Sequence, residues 1–290
     1  MVIAMLWEEL REEEFASAIE KSSKLCVLPI GCTEMHGQHL PVGTDSFEVT
    51  HVCVEASKRE EVVVFPTIRF GNVPFLTSWR GSVRLTVELM QQLLKELCSE
   101  IARNGFKKIL IVNGHGGNHA LLGNFVSSTQ HDMKDYVVLY RSDFEYGIYS
   151  LAADLREDKE FPALTKEDVD NILDFTANNG IMGHGGVDET STTMAIRPDL
   201  VKLDRMYQVD GMPTHLSDYL RPAGVHNSAA SFWYVEQPNH YRGSHPEWAN
   251  ERIGNVLFER RIEMQAEACR LLKMDDRILQ WNDERNAKWF

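Results

Sequence analysis

Apolar residues follow two rhythms along this chain. Short unbroken apolar runs stand at residues 24–31 (KLCVLPIG), 61–68 (EVVVFPTI), 107–117 (KKILIVNGHGG, running into a glycine-rich turn) and 136–143 (YVVLYRSD). Runs of this length, rich in β-branched residues and bounded by Pro, Gly or polar residues, predict buried strands. Between them the apolar spacing changes to three or four residues. Leu6, Leu10, Phe15 and Ile19 predict a helix over residues 5–20, and residues 86–104 (TVELMQQLLKELCSEIARN) a second, with Gly105 as its stop. Residues 150–180 are charged and helical in a weaker rhythm, and an amphipathic helix is predicted from about Asn250 to Met274. Strands alternating with helices predict an α/β fold whose mostly parallel sheet is covered on both faces. Residues 206–247, rich in His, Pro, Asn and Trp, read as a long loop or lid. No repeat, low-complexity tract or linker interrupts the chain, so residues 1–290 are read as a single domain.

Composition removes several function classes. The chain has 43 acidic against 30 basic residues, a formal net charge of −13. That balance opposes binding to nucleic-acid phosphates and to anionic membranes. No apolar run reaches the roughly 18 residues that a membrane span needs. The five cysteines (Cys26, Cys32, Cys53, Cys98 and Cys269) include no C-x-x-C pair, and the opening MVIAMLWEELREEEF lacks the basic start and cleavage site of a signal peptide. A reducing, cytoplasmic location and a small-molecule substrate are the expectations.

Three polar motifs follow, the first two just after predicted strand ends, where open α/β sheets bind ligands. The first, residues 28–47 (LPIGCTEMHGQHLPVGTDSF), places Glu34, His36, His39 and Asp45 in one loop. In extended chain Glu34 and His36 point the same way, roughly 7 Å apart at Cα. That spacing can grip two adjacent metals, or one metal and a water, and Asp45 can bridge two cations through its two oxygens. Imidazole with carboxylate suits Zn, Mn or Fe. On spacing alone, a solvated polar loop fits equally well. The second motif, residues 109–120 (ILIVNGHGGNHA), holds His115 at a strand tip on a turn whose glycines permit tight backbone. Such a turn also offers N–H groups to an anion, but the Lys-Ser/Thr ending of a P-loop is missing. A plain strand-to-helix turn is the remaining alternative. The third motif, residues 180–200 (GIMGHGGVDETSTTMAIRPDL), sets His184 in a glycine-flanked turn and Glu189 at the start of a helical run. His184 fits a general acid or base, since imidazole exchanges protons near neutrality, and Glu189 a metal ligand. Alternatively Asp188 or Thr190 caps the helix and Glu189 faces its dipole.

Together the motifs Gly31-x-x-Glu34-x-His36-Gly37-x-His39-Leu40-Pro41-x-x-Thr44-Asp45, Asn113-Gly114-His115-Gly116-Gly117-Asn118 and His184-Gly185-Gly186-x-x-Glu189-Thr190-Ser191 closely resemble the creatininase family, in order, from about residue 5 to residue 260. The resemblance implies a three-layer α/β/α sandwich and two divalent metal ions per chain (Zn, Mn or Fe). Glu34 and His115 would hold one ion and His36 the other, with Asp45 between them and His184 as the proton-transfer histidine. It implies hydrolysis of a C–N bond in a cyclic amide or formamide-like small molecule by a metal-activated hydroxide. It also implies a homo-oligomer, since members are commonly hexamers.

The chain departs from the family's founding enzyme at named positions. That enzyme has a second carboxylate two residues after the N-G-H histidine; here Gly117 stands there, which leaves the second metal one ligand short and makes Glu189 the natural replacement. Its substrate-stacking tryptophans correspond to Ser142 and Gly180, so creatinine itself is not the expected substrate. Trp79, Trp233 and Trp248 are aromatic alternatives, each equally at home in packing. Gly117, Ser142 and Arg80 are placed on the substrate side, Arg80 as a binder of carboxylate or phosphate or else a plain surface residue. Two other readings stand beside the first: metal-dependent C–C ring opening of a sugar-derived ketone such as a keto-inositol, and a catalytically impaired metal-binding scaffold.

Overall fold

The computed structural model describes residues 3–73, 76, 79–178, 180, 182–208, 214–223, 233–236 and 243–289. Among them, the strands are β1 (Met5–Leu6), β2 (Leu25–Ile30), β3 (Val63–Val64), β4 (Lys108–Asn113) and β5 (Val137–Ser142). The α-helices are α1 (Phe15–Lys21), α2 (Thr44–Arg59), α3 (Val87–Arg103), α4 (His119–Ser128), α5 (Ile148–Arg156), α6 (Lys166–Ala177), α7 (Val187–Ile196), α8 (Trp233–Glu236), α9 (Glu251–Met274) and α10 (Arg277–Trp289). The strands form one sheet in the order β1-β3-β2-β4-β5, every pairing parallel. Ile30 lies beside Asn113, and Asn113 beside Ser142. Three neighbouring strands therefore end in one row, and the loops that leave them open on the same edge.

Successive strand residues face opposite sides of a sheet, so a strand covered on both sides must be apolar throughout. Strand β2 shows the consequence. Cys26, Leu28 and Ile30, with Ile109 and Ile111 of β4, meet Ala18 of α1, Leu94 of α3 and Leu122 of α4. Leu25, Val27, Leu110 and Val112 meet Val49 and Cys53 of α2 and Cys269 of α9 on the other face. This is the three-layer α/β/α arrangement the sequence predicts. A further apolar cluster joins α5, α6, α7 and α9 through Ile148, Leu151, Phe175, Val187 and Leu257. Among the described residues, no helix is long and apolar enough to cross a membrane.

Local chemistry explains where expectation and structure agree. Thr86 caps α3, accepting from the Leu89 N–H, and Gly105 follows the helix at φ +109°. Asn250 caps α9 by accepting from the Arg252 and Ile253 N–H groups. Three expectations need correction. The helix predicted over residues 5–20 is confined to α1: Met5–Leu6 pairs with Val63–Val64 at the sheet edge, and Trp7 packs edge-on against Phe15 and Phe65. Sheet pairing here overrides a helical spacing of apolar residues. The run 61–68 pairs only at Val63–Val64 and through one bridge from Ile68 to Ile30, because Pro66 between them has no N–H for the ladder. Asp45 belongs to the first turn of α2 rather than to a loop. Helix α10 was not anticipated. Its only buried residue is Asn282, which donates to the Lys134 carbonyl at 2.6 Å, so no apolar stripe announces it. Within residues 206–247, read as a long loop or lid, 209–213, 224–232 and 237–242 lie outside the described residues; the described part includes α8 and short 3-10 turns.

Candidate metal centre

The shared sheet edge brings the three motifs together. Glu34 and His36 come from the loop after β2, Asp45 from the first turn of α2, and His115 from the turn after β4. His184 and Glu189 come from the turn before α7 and its first turn. Glu34, His36, Asp45 and His115 are all buried, which obliges their charges to be matched locally.

Asp45 is the hub. Its Oδ2 lies 2.9 Å from His115 Nδ1, and its Oδ1 lies 3.0 Å from His36 Nε2. Glu34 Oε1 stands 3.2 Å from His115 Nδ1, 3.4 Å from His184 Nδ1 and 3.8 Å from His36 Nε2. Glu189 Oε2 stands 3.5 Å from His36 Nε2. Two ligand atoms each about 2.1 Å from one cation are roughly 3.0–3.4 Å apart at 90–109°. Three overlapping groups have the donor set for a cation: Glu34, Asp45 and His115 with Cys32; Glu34, His36 and His184; and His36, Asp45 and Glu189.

The tautomers agree with this. His115 Nε2 faces the Asn72 carbonyl at 3.1 Å, and His36 Nδ1 faces the Glu34 carbonyl at 3.1 Å. A carbonyl only accepts, so these nitrogens carry the protons and leave His115 Nδ1 and His36 Nε2 as lone pairs aimed at carboxylates. His36 Nε2 is buried and has no hydrogen-bond partner among the described residues. A lone pair facing carboxylate oxygens is repulsive unless a proton or a cation stands between them. The residues present therefore fit a pair of divalent cations.

The electrostatics carry the same demand for positive charge. Burial works against protonating His36, but Asp45, then Glu189 and Glu34, outweigh it and push the imidazole up to about 10. Burial likewise opposes a charged His115, and Glu34 and Asp45 overcome it, raising that imidazole well above its usual range. In return, burial of Glu34 is overcome by His115 and His184, which hold the carboxyl at about 2. Asp45 is drawn well below the usual carboxylate range, again against burial, by His36 and His115.

Neighbours hold the ligands in place. Asn113 Oδ1 accepts from the His115 N–H at 3.0 Å and from Asn118 Nδ2 at 3.1 Å. Asn118 Nδ2 also donates to the Gly31 carbonyl at 3.2 Å, and its Oδ1 accepts from the Asn72 N–H at 2.8 Å. The two asparagines thus clamp the His115 turn to the first motif and fix Asn72, the residue that sets the His115 tautomer. A Cβ at Gly117 would stand 2.4 Å from His115 Nε2 and 2.6 Å from the Asn72 oxygen. No side chain fits there while the imidazole keeps its place. The Gly185 N–H donates to Glu189 Oε2 at 2.7 Å. His39 does not join the cluster. Its Nε2 lies 3.0 Å from the Gly185 carbonyl and 3.1 Å from Thr190 Oγ1, which ties the first motif to the turn carrying His184. Burial lowers the His39 imidazole to about 4. Cys32, passed over in the sequence, donates its thiol to Asp45 Oδ2 at 2.8 Å.

The creatininase family profile, described as creatinine amidohydrolase, matches residues 8–269. The chain belongs to the creatininase family. A creatinine amidohydrolase of Pseudomonas putida is 26% identical over 220 residues, covering 73% of this chain and 78% of that protein. A mycofactocin precursor peptide peptidase of Mycobacterium tuberculosis is 29% identical over 41% of this chain and 51% of its own length. A 3-dehydro-scyllo-inosose hydrolase of Thermotoga maritima is 30% identical over 33% and 31%. A solved structure of creatininase with Mn shares the fold, with a TM-score of 0.71 at 20% identity, covering 92% of this chain and 98% of that one.

This creatininase-family hydrolase carries a cavity of about 470 Å³ against the cluster, lined in part by Glu34, His115, Gly117, His184 and Glu189. The residues assigned to the substrate side divide. Gly117 lines the cavity; Ser142 and Arg80 do not. Ser142 is the buried last residue of β5, where its Oγ accepts from Asn113 Nδ2 at 3.3 Å. The chain then turns, so the lining residues are Asp143 and Phe144. Arg80 is exposed, outside the cavity wall. Trp248 stacks on His245 at 3.7 Å and packs against the cluster of α5, α6, α7 and α9, so it is a packing residue. Gly180 abuts the Phe175 ring, and Trp79 is half-buried outside the lining. The Trp233 side chain lies outside the described residues.

Proposed function

We propose that this protein is a metal-dependent amidohydrolase that cleaves a C–N bond in a small cyclic amide or formamide-like substrate. The observation that carries the reading is the convergence of His36 Nε2 and His115 Nδ1 on the two oxygens of one buried carboxylate, at 3.0 and 2.9 Å. Glu34, Asp45 and His115 would hold one divalent cation, and His36, Asp45 and Glu189 the other. When bound, a pair of Zn, Mn or Fe ions supplies Lewis acidity and a water of lowered pKa.

The chain's own residues supply the rest. His184 Nε2 lies 2.6 Å from the Met35 carbonyl, which fixes it as the protonated nitrogen and orients the ring. Its Nδ1 faces the cluster beside Glu34 Oε1 and is the atom that exchanges a proton. Hydrolysis forms a bond from water oxygen to the carbonyl carbon and breaks C–N; the proton that the water gives up passes to His184 Nδ1 and from there to the leaving nitrogen. Leu76, Phe144 and Met182 give the cavity an apolar wall that limits water around the reacting carbonyl. The similarity to the creatinine amidohydrolase supports amide chemistry.

The test combines metal analysis with substrate screening. Two equivalents of metal per chain, and hydrolysis of cyclic amides with products identified by mass, are the expected results. A folded chain that binds no divalent metal, or acts on no amide, defeats the proposal. One observation favours the keto-inositol alternative: the cavity has carboxyl groups and no tryptophan among its described lining residues, and the inosose hydrolase is a partial relative. C–C opening of a keto-inositol in the same screen would select it. Glu189, with its Oε2 3.5 Å from His36 Nε2, argues against the scaffold reading. Exposed Leu271, Met274, Trp281 and Trp289 on α9 and α10 support a homo-oligomer, which light scattering would size.

A further inference from the structure

The donor group around Glu34 contains a sulfur. Cys32 lies just past the end of β2, is fully buried, and has Val73 and Leu76 packed against it. Ser46 Oγ donates to the Cys32 carbonyl at 2.8 Å, which pins this backbone to the first turn of α2 beside Asp45. The thiol donates to Asp45 Oδ2 at 2.8 Å, the same oxygen that stands 2.9 Å from His115 Nδ1. Sγ and one ligand atom each of Glu34, Asp45 and His115 all lie within 4.8 Å of one another. The other oxygen of Asp45 stands 3.0 Å from His36 Nε2, a buried nitrogen with no hydrogen-bond partner among the described residues, so the same carboxylate is flanked by an unmet demand for a cation. The remaining thiols differ. Cys26, Cys53, Cys98 and Cys269 sit in the apolar layers between helices and sheet and join no such donor group among the described residues.

We propose that Cys32 is a sulfur ligand of the cation held by Glu34, Asp45 and His115, and that it makes this position select zinc over manganese. The inference rests on the metal centre proposed above and narrows which ion one half of it takes. On binding, the S–H bond breaks, the proton leaves to water and a sulfur–metal bond forms, with no change of oxidation state. A cation about 2.3 Å from sulfur and about 2.1 Å from oxygen sets those two donors roughly 3.1–3.6 Å apart at 90–109°. The sulfur therefore withdraws from Asp45 by about 0.3–0.8 Å, which a small turn about the Cα–Cβ bond supplies. Thiolate is a soft donor that suits zinc, whereas carboxylate and water suit manganese. The group His36, Asp45 and Glu189 offers only nitrogen and oxygen, so the two cation positions differ in softness. A serine at position 32 would keep a hydrogen bond to Asp45 and lose the soft donor, which separates ligation from hydrogen bonding alone.

The test is optical. Metal-free protein is loaded with Co²⁺, whose bond to a thiolate gives a near-ultraviolet charge-transfer band that nitrogen and oxygen ligands do not give. The wild type is expected to show the band, and Cys32→Ser to lose it with cobalt still bound. Zinc and manganese are then titrated separately against a chromophoric chelator. The ratio of zinc to manganese affinity should fall at least about tenfold in Cys32→Ser, the low end of what even an outer partner of a ligand is worth. Bound cobalt without the band, a band that survives Cys32→Ser, or an unchanged affinity ratio overturns the proposal and leaves the amidohydrolase centre standing. A folded chain that binds no cobalt defeats both readings. If Cys32→Ser fails to fold, the wild-type spectrum decides alone, because the other four thiols join no donor group among the described residues.

Discussion

Gly117 offers the sharpest test of how the metal centre is built. In Gly117→Ala, the new Cβ would stand 2.4 Å from His115 Nε2 and 2.6 Å from the Asn72 oxygen, separations that real Cβ atoms do not tolerate. The backbone on the Asn72 side cannot yield easily, because the Asn72 N–H is held by Asn118 and its Nδ2 donates to the Gly117 carbonyl at 2.9 Å. The imidazole must therefore swing away, losing its 3.1 Å hydrogen bond to the Asn72 carbonyl and carrying Nδ1 out of line with Glu34 and Asp45. Overpacking of this kind costs about 1–3 kcal/mol of stability. Loss of the partner that orients a metal-ligating histidine costs about 10- to 100-fold in metal affinity, or about 1.4–2.7 kcal/mol. Gly116, one residue away, is the control: a Cβ there meets nothing within 4 Å, so Gly116→Ala should keep metal affinity within about twofold. Competition titration against a chromophoric chelator, with denaturant unfolding of the same samples, measures both quantities. Wild-type metal affinity in Gly117→Ala, or an equal loss in Gly116→Ala, would show that the close approach of glycine to imidazole does not organise the site.

Other outcomes follow from the same geometry. Glu189→Gln should lower metal stoichiometry from two to one per chain by mass spectrometry, since the His36 side then keeps Asp45 at 3.0 Å and Glu34 only at 3.8 Å as carboxylate partners; two retained metals would exclude Glu189 as a ligand. The pH dependence of the metal-free protein has a definite sign. His36, raised to about 10 from an unfolded value of about 6.5, contributes stability that is fully present below about 6.5 and lost as pH rises through 10. Glu34, lowered to about 2, contributes stability above about 4.3 that is lost as pH falls through 2. Chelator-treated protein should therefore show its highest denaturation midpoint near pH 5–6, and added divalent metal should move the optimum upward by replacing those protons; an optimum that ignores metal would contradict the centre. Arg80→Ala and Ser142→Ala should each leave kcat/KM within about twofold, and a tenfold fall in either would return that residue to the substrate side. Lys108→Met should cost about 1–3 kcal/mol in chemical denaturation, because buried Nζ donates to the Leu272 carbonyl at 2.6 Å and pairs with Asp276 at 2.5 Å, joining β4 to the end of α9.

What could be read without coordinates was whatever the chain encodes locally. Strands β2 and β4 must be apolar on both faces, so their runs stand out. A parallel sheet forces their C-terminal loops onto one edge, so Glu34, His36 and His115 are bound to converge once those strands are neighbours. Gly117 was legible as a missing carboxylate, but its cause, the 2.4 Å approach to the imidazole, depends on Asn72 arriving from another loop. Ser142 was misplaced by one residue. A strand alternates its faces, and the pairing of Ser142 with Asn113 keeps its hydroxyl within the sheet, so the lining falls to Asp143. Of the cavity residues Glu48, Asp143, Asp188 and Arg261, the sequence offered only Asp188, as a helix cap in the third motif, and nothing that joined the four, because each lies in a different element. Their proximity is created by α9 crossing both α2 and α7. The donor chemistry for a cation can thus sit in short motifs while part of the cavity wall sits in residues that only the helix layer assembles.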